Sequence, residues 1–389
     1  MTEFLIRIWV KDYDQVEQPE VRGRYGVLSG VIGIVLNLLL FAGKLTAGMI
    51  TASIAITADA FNNLSDAGSS IITLIGFKMA VRPADTAHPF GHGRIEYIAG
   101  FIMSLLILLM GFELLRVSFD KILHPVETSF TLVSLIILLA AILIKLWMAY
   151  FNRKLSRRID SVAMKATAVD SLSDAVATTV VLIGIGISHF TELLLDGYLG
   201  LLVSLFILYA GFNAARDTLN PLLGQPPSNE QVEGIYATVM AHSLVSGMHD
   251  LLVHDYGPGR VSISLHAEVP HNHDIMELHD LIDCIEDELR IQFNAVVTIH
   301  MDPVALNDER TMSLRRQIAQ RVKEIDPALS IHDFRMVPGP THTNLLFDAV
   351  VPAGFHLSDQ VVAERIQLLV KTMDPNFQAV VQIDQSYVR

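Results

Sequence analysis

The sequence predicts an α-helical membrane protein of six transmembrane helices followed by small α+β domains. Three observations carry that prediction. Hydrophobic residues make up 51% of the chain and gather into long runs within the first 216 positions, and a helix needs roughly 20 mostly apolar residues to cross a bilayer. Hydropathy then falls sharply after LLGQPP, residues 222 to 227. Beyond that point the apolar pattern alternates between the periods of soluble strands and soluble helices.

Spans are expected near 26–49, 51–80, 97–119, 128–151, 164–188 and 193–215, the second being interrupted by polar residues. The stretch before them carries Arg7, Lys11, Arg22 and Arg24 among several acids. It lacks the short apolar core and small-residue cleavage site of a leader, so no cleaved targeting segment is expected. Arg153, Lys154, Arg157, Arg158 and Lys165 lie between the fourth and fifth spans, and Lys78, Arg82 and Arg94 flank the link between the second and third. The opposite connections hold Lys121 and, in HFTELLLDG, no basic residue. Positive charge collects on the cytoplasmic side, which places both termini there.

After the spans, a helix at 228–242, strands at 261–269 and 296–302 and a helix at 274–290 describe an α+β sandwich. Segment 246–270 then lines up with 329–352, and each is followed by a helical stretch and a strand (VVTIHMD, VVQIDQS). Two tandem copies are therefore expected. The alignment sets Asp348 against His266, Val361 against His279 and Asp384 against His300, so the second copy loses most metal-ligand types and is assigned to packing or assembly, with metal binding as the lesser alternative. The domain plan is a cytoplasmic segment over 1–25, a transport domain over 26–218, a first soluble domain over 219–305 and its degenerate repeat over 306–389. The single cysteine, Cys284, excludes an intrachain disulfide and fits a reducing compartment.

Chemistry concentrates in three places. Asn62 and Asp66 stand four residues apart inside one apolar span, and Asp170 and Asp174 do so inside another. On helices each pair projects from one face. Ionisable groups at membrane depth are costly and by default mark an ion pathway. Helix capping would also use such residues, but apolar sequence flanks both pairs on both sides, which favours a chain that moves a metal ion. In RPADTAHPFGHGRIEY, residues 82 to 97, Asp85, His88 and His92 suit an ion at the membrane edge, while Pro89, Gly91 and Gly93 suit a rigid turn; both readings are compatible. Downstream, His249, His266, His279, His300 and Asp302 are ligand types for zinc and other first-row ions. With His254, His271 and His273 close by, scattered surface histidine is the even alternative.

The acidic pair, the FGHGR loop, the second pair and the HD…H…H…HxDP order together resemble the cation diffusion facilitator family of proton-coupled divalent metal exporters, over residues 25 to 305. The resemblance implies that Asn62, Asp66, Asp170 and Asp174 form the transport site and Asp85, His88 and His92 a loop site. It further implies that His249, His266, His279, His300 and Asp302 form a binuclear site at the interface of a homodimer, on a ferredoxin-like cytoplasmic domain. Ions would be cargo or regulators rather than a resident cofactor, and protons the coupling partner, in a cell (inner) membrane. One amide and three carboxylates, without the histidine usual in zinc carriers, favour Mn²⁺ over Zn²⁺, iron, cadmium or cobalt. A second departure is Gly224, where some bacterial members carry an aspartate that pairs with a basic loop residue, here Arg94.

Other classes fit less well. FAGKLTAG, residues 41 to 48, lacks the upstream glycine of a nucleotide-binding loop, and no HExxH motif occurs, so neither an ATP-driven pump nor an intramembrane metalloprotease is expected. A membrane-anchored metal sensor or scaffold is the rival of another class. The net charge of −13 argues against nucleic acid as a partner, which leaves divalent ions, protons, membrane lipid and a second copy of the chain.

Overall fold

A computed structural model describes residues 2–16, 18–51, 54–124, 132–191, 196–304, 309–339 and 341–386. The connections at 125–131 and 192–195, on which the charge-asymmetry argument partly rests, lie outside the described residues. The chain forms two compact units, Met1–Gln225 with Asp255–Arg260, and Pro226–His254 with Val261–Arg389.

The first unit is helical: α1 (Thr2–Trp9), α2 (Pro19–Thr51), α3 (Ile54–Ala80), α4 (Ile95–Leu123), α5 (Leu132–Ile159), α6 (Val162–Thr191) and α7 (Asp196–Leu223). Among the described residues, four helices are long and apolar enough to cross a membrane: α2, α4, α5 and α7. Helices α3 and α6, of 27 and 30 residues, carry the two polar pairs. Sequence patterning missed α1, whose Ile6 is buried while Phe4, Ile8 and Trp9 are exposed. Ile6 and Val10 join Val21, Tyr25, Phe151, Leu155 and Ile159 in one apolar cluster. Lys154 and Arg158 hold Glu3 at 2.7 and 3.3 Å.

The long helices pack chiefly as α2 with α3, α4 with α7 and α5 with α6. Small residues set the first pairing. Gly23, Gly26, Gly30 and Gly33 recur every three or four residues along α2 and face Val81, just past α3, and Phe77, Leu74 and Ser70 of α3. Such a stripe lets two backbones approach where lipid supplies no hydrophobic drive. A Cβ on Gly30 would stand 2.6 Å from that of Leu74.

Gly224 caps α7 in the left-handed region, at φ 86°, as helix C-termini often require. The partner of Arg94 lies instead in the turn Asp255–Arg260, which belongs to the first unit. Arg94 donates to the Asp255 carbonyl at 2.6 and 3.0 Å, and Tyr97 donates to the Asp255 carboxylate at 2.7 Å. Phe90 stacks on Tyr256 at 4.2 Å. Asp217 is engaged elsewhere, by Lys165 at 2.6 Å.

The second unit runs α8 (Asn229–Met240), β1 (Gly247–Asp255), β2 (Val261–Pro270), α9 (Ile275–Phe293), β3 (Ala295–Val304), α10 (Glu309–Ile325), β4 (Ser330–Pro338), β5 (Thr343–Pro352), α11 (Asp359–Met373) and β6 (Phe377–Ser386). Its two three-stranded sheets have the orders β1-β2-β3 and β4-β5-β6. Each sheet buries one apolar core against its helices, around Ile285 and Leu289 in the first and Ile318 and Ile366 in the second. Asp274 caps α9 by accepting from the N–H groups of Met276 and Glu277.

Strand register corrects the internal alignment. In the parallel pairs, Val261 lies opposite Ala295 and Thr343 opposite Phe377. Asp384 therefore corresponds to Asp302, and Gln382 to His300. The N-terminal caps Asp274 and Ser358 likewise set Ala363, rather than Val361, against His279. Side chains two residues apart share one sheet face, so a two-residue slip leaves the apolar pattern intact and is invisible to it.

Replacing Gly30 by Leu is expected to wedge α2 from α3 and lower the melting temperature in detergent, an overpacking cost of about 1–3 kcal/mol. Gly43→Ala, where an added methyl meets nothing within 4 Å, should leave it unchanged or higher.

Candidate metal centres

Deep in the helical unit, α3 and α6 bring their carboxylates to one lysine. Asp66, Asp170 and Lys145 are each less than 10% exposed. Lys145 of α5 donates to Asp66 Oδ2 at 2.7 Å and to Asp174 Oδ2 at 2.5 Å. Asp170 is buried one turn before Asp174 on the same helix, as i,i+4 spacing requires. Asn62 is exposed, and its neighbour Asn63 is the amide directed inward, with Nδ2 3.4 Å from Asp66 and Oδ1 buried without a hydrogen-bond partner. Thr73 and Thr167, 3.3 Å apart, tie α3 to α6 one side of the cluster. Converging carboxylate oxygens are the ligand type that a hard divalent ion requires.

Lys145 escaped sequence reasoning, although a lone lysine in LLAAILIKLWMAYF is itself a signal at membrane depth.

At the end of α3 the loop residues Asp85, His88 and His92 come together. Asp85 lies 3.3 Å from His88 Nδ1 and 3.5 Å from His92 Nε2, and the two rings are 4.5 Å apart. The backbone N–H groups of His88 and Ala87 donate to Asp85 Oδ1 at 2.7 and 3.0 Å, and with His92 they hold the carboxyl below its usual range. Gly91, at φ 80°, makes the bend that returns His92 to Asp85. Rigid turn and convergent donors coexist here.

On the first sheet, Asp302 is the hub. His266 Nδ1 lies 2.9 Å and His249 Nε2 3.2 Å from Asp302 Oδ2, and His300 Nε2 lies 3.5 Å from Oδ1. His249 is largely buried, yet neither ring nitrogen has a hydrogen-bond partner of normal geometry among the described residues. Burial pulls its imidazole down, but Asp250 at 3.4 Å and Asp302 outweigh that and leave it above its ordinary value. Unpartnered buried nitrogens beside a carboxylate fit a metal-ligand set. His279 stands apart: it is exposed on α9 and pairs with Asp283 at 3.2 Å.

A further group comes from the second sheet, where His332, Asp348 and Asp384 place ligand atoms within 4.8 Å of one another. Burial, followed by the charges of Asp384, Asp333 and Asp250, pushes the Asp348 carboxyl up to about 6. Asp384 was anticipated only as a lost ligand, and His332 was not anticipated at all, although its His-Asp dipeptide repeats that of His249 and Asp250.

Residues 30–223 match the cation efflux transmembrane domain, and residues 227–304 match the cytoplasmic domain of cation efflux proteins. An uncharacterised transporter of Methanocaldococcus jannaschii is 30% identical over 277 residues, covering 70% of this chain and 97% of the relative. The cation-efflux pumps FieF of Shigella flexneri and Escherichia coli are 26% identical over 285 residues, 73% of this chain and 95% of theirs. Similarity of that extent to a relative spanned almost end to end, on a bundle that buries carboxylates among apolar helices, makes this chain a membrane transporter of the cation efflux, or cation diffusion facilitator, family.

Proposed function

We infer that the protein exports divalent cations, Mn²⁺ foremost, in exchange for protons. The observation that carries this reading is the meeting of Asp66 and Asp174, from separate helices, on a single buried cation, the Lys145 ammonium. The relatives named as cation-efflux pumps support the direction of transport. Six spans with both termini cytoplasmic, α3 and α6 included, agree with the lengths of those helices and with the basic residues near their ends. The domain matched by residues 227–304 supports a homodimer. Its three-stranded sheet with α8 and α9 corresponds to a ferredoxin-like layer lacking the first strand, and the second sheet, of like order and register, is its duplicate.

In the proposed cycle the ion displaces Lys145 and is gripped by Asp66, Asp170 and Asp174 with an asparagine, Asn62 by the family pattern or Asn63 by contact. Rocking of the helices then turns the site outward. There protons compete for the same carboxylates, and a protonated carboxylate is a poor ligand, so the ion leaves. Oxygen-only ligands favour Mn²⁺ over ions that prefer imidazole. The loop triad of Asp85, His88 and His92 and the cytoplasmic group of His249, His266, His300 and Asp302 would bind ions from the cytoplasm.

Proteoliposomes with an imposed pH gradient test this. Mn²⁺ flux should follow the gradient, exceed Zn²⁺ flux and disappear in Asp174→Ala; Zn²⁺ flux alone would overturn the manganese assignment, and absence of both the transport reading. Calorimetric titration should show Lys145→Met binding Mn²⁺ at least about tenfold more tightly, because the competing ammonium is gone, while its turnover falls. Weaker binding would mean that Lys145 supports the site rather than competing for it.

A further inference from the structure

Beyond the transported ion and the cytoplasmic ligands of the first sheet, the second sheet carries a triad of its own. It is the structural counterpart of the first: strand register sets His266 against Asp348 and Asp302 against Asp384, and the shared His-Asp dipeptide sets His249 against His332. The duplication has exchanged one imidazole for a carboxylate and kept the arrangement. The backbone device that aims the histidine is kept as well. Asp250 and Asp333, each directly after the histidine, take left-handed conformations with φ near 50°, and in β4 this accompanies a register shift between His332 and Arg335. A bulge of this kind re-aims side chains at functional positions.

His332 supplies an independent observation. It is 6% exposed, and neither ring nitrogen has a hydrogen-bond partner among the described residues. Nε2 nevertheless points into a ring of carboxylate oxygens, 3.3 Å from Asp384 Oδ2 and 3.7 Å from Asp250 Oδ1. Arg335, the nearby guanidinium, is engaged by Asp333 at 2.5 and 3.0 Å. A buried imidazole that forms no hydrogen bond where three carboxylates converge is poorly explained as packing, since buried polar nitrogens are nearly always satisfied. It is well explained as one ligand of an ion that the oxygens also hold.

We propose that His332, Asp348 and Asp384, with Asp250 reaching over from the first sheet, form a divalent-metal site at the junction of the two sheets. One nitrogen and three carboxylate donors suit Mn²⁺ or Fe²⁺ better than the histidine-richer first triad does, which leans to Zn²⁺. The His249 and His332 rings stack at 4.0 Å, and with Asp250 their ligand atoms lie within 4.8 Å of one another, so the two triads adjoin at Asp250 and an ion in the second would clamp the sheets together through it. The site does not depend on the transport reading, because none of its residues lies in the helical unit.

The test counts bound Mn²⁺ on the full-length protein in detergent by equilibrium dialysis. Asp348→Asn/Asp384→Asn should bind one ion per chain fewer than wild type, and the loss should add to that of Asp174→Asn. An unchanged count overturns the site, as does a loss that fails to add, since the two changes would then act on the same ion. Asp348→His, which copies the first triad, decides the matter even if the double variant aggregates. It should keep the ion and shift preference toward Zn²⁺ over Mn²⁺ at least about tenfold; an unshifted preference overturns the proposal. Should only the Asp174→Asn loss be missing, the transport reading fails and this site stands.

Discussion

Lys145 holds together two carboxylates that would otherwise repel each other inside an apolar bundle. A buried carboxylate without a counter-charge is strongly unfavourable, and two beside each other are worse. With its ammonium 2.7 Å from Asp66 and 2.5 Å from Asp174, the folded protein keeps α3, α5 and α6 in register around largely buried charge. Any cation taking that place must match the ammonium's hold on both helices. The packing of the bundle and its proposed hold on an ion thus rest on the same three residues.

The cytoplasmic unit follows a different logic. There the ligand-type residues lie on strands, and the hub of each sheet is an aspartate at an equivalent position, Asp302 or Asp384. Around the first hub the donors are imidazoles, and around the second mainly carboxylates. Glu268, almost fully buried, is met by Arg315 of α10 at 3.0 and 3.1 Å, so a neutralised pair joins the first sheet to the helix that leads into the second. Close by, the junction gathers His249, His332 and Asp250 without such a guanidinium contact.

Much of this was legible in the sequence because membrane depth makes polarity conspicuous. Asp66, Asp170 and Asp174 stood out against apolar neighbours, and the loop spacing of Asp85, His88 and His92 matched the turn that forms. Where two readings tied, the sequence had no means of choosing. Asn62 and Asn63 are adjacent, and only helix rotation decides which faces Asp66. His279 shares its residue type with His249 and His266, but it lies on the outer face of α9, away from the strands that carry them. The equivalence of Asp384 with Asp302 was hidden because strands repeat every two residues. Lys145 was overlooked because a single charge has no spacing from which to build a pattern.

The glycine stripe of α2 bears on how such a bundle can move. Gly30 brings α2 against the Leu74 backbone and Gly26 seats the Phe77 ring, so α2 and α3 pack as one plank, while α5 and α6 form another. Asp66 belongs to the first plank, and Lys145, Asp170 and Asp174 belong to the second. The planks themselves meet where α2 packs on α5, with Ser29 donating to Asn152 Oδ1 at 2.7 Å, and over a shorter stretch of α3 and α6. Sliding one past the other would separate Asp66 from Asp170 and Asp174, so in the proposed cycle the ion would straddle the seam between planks.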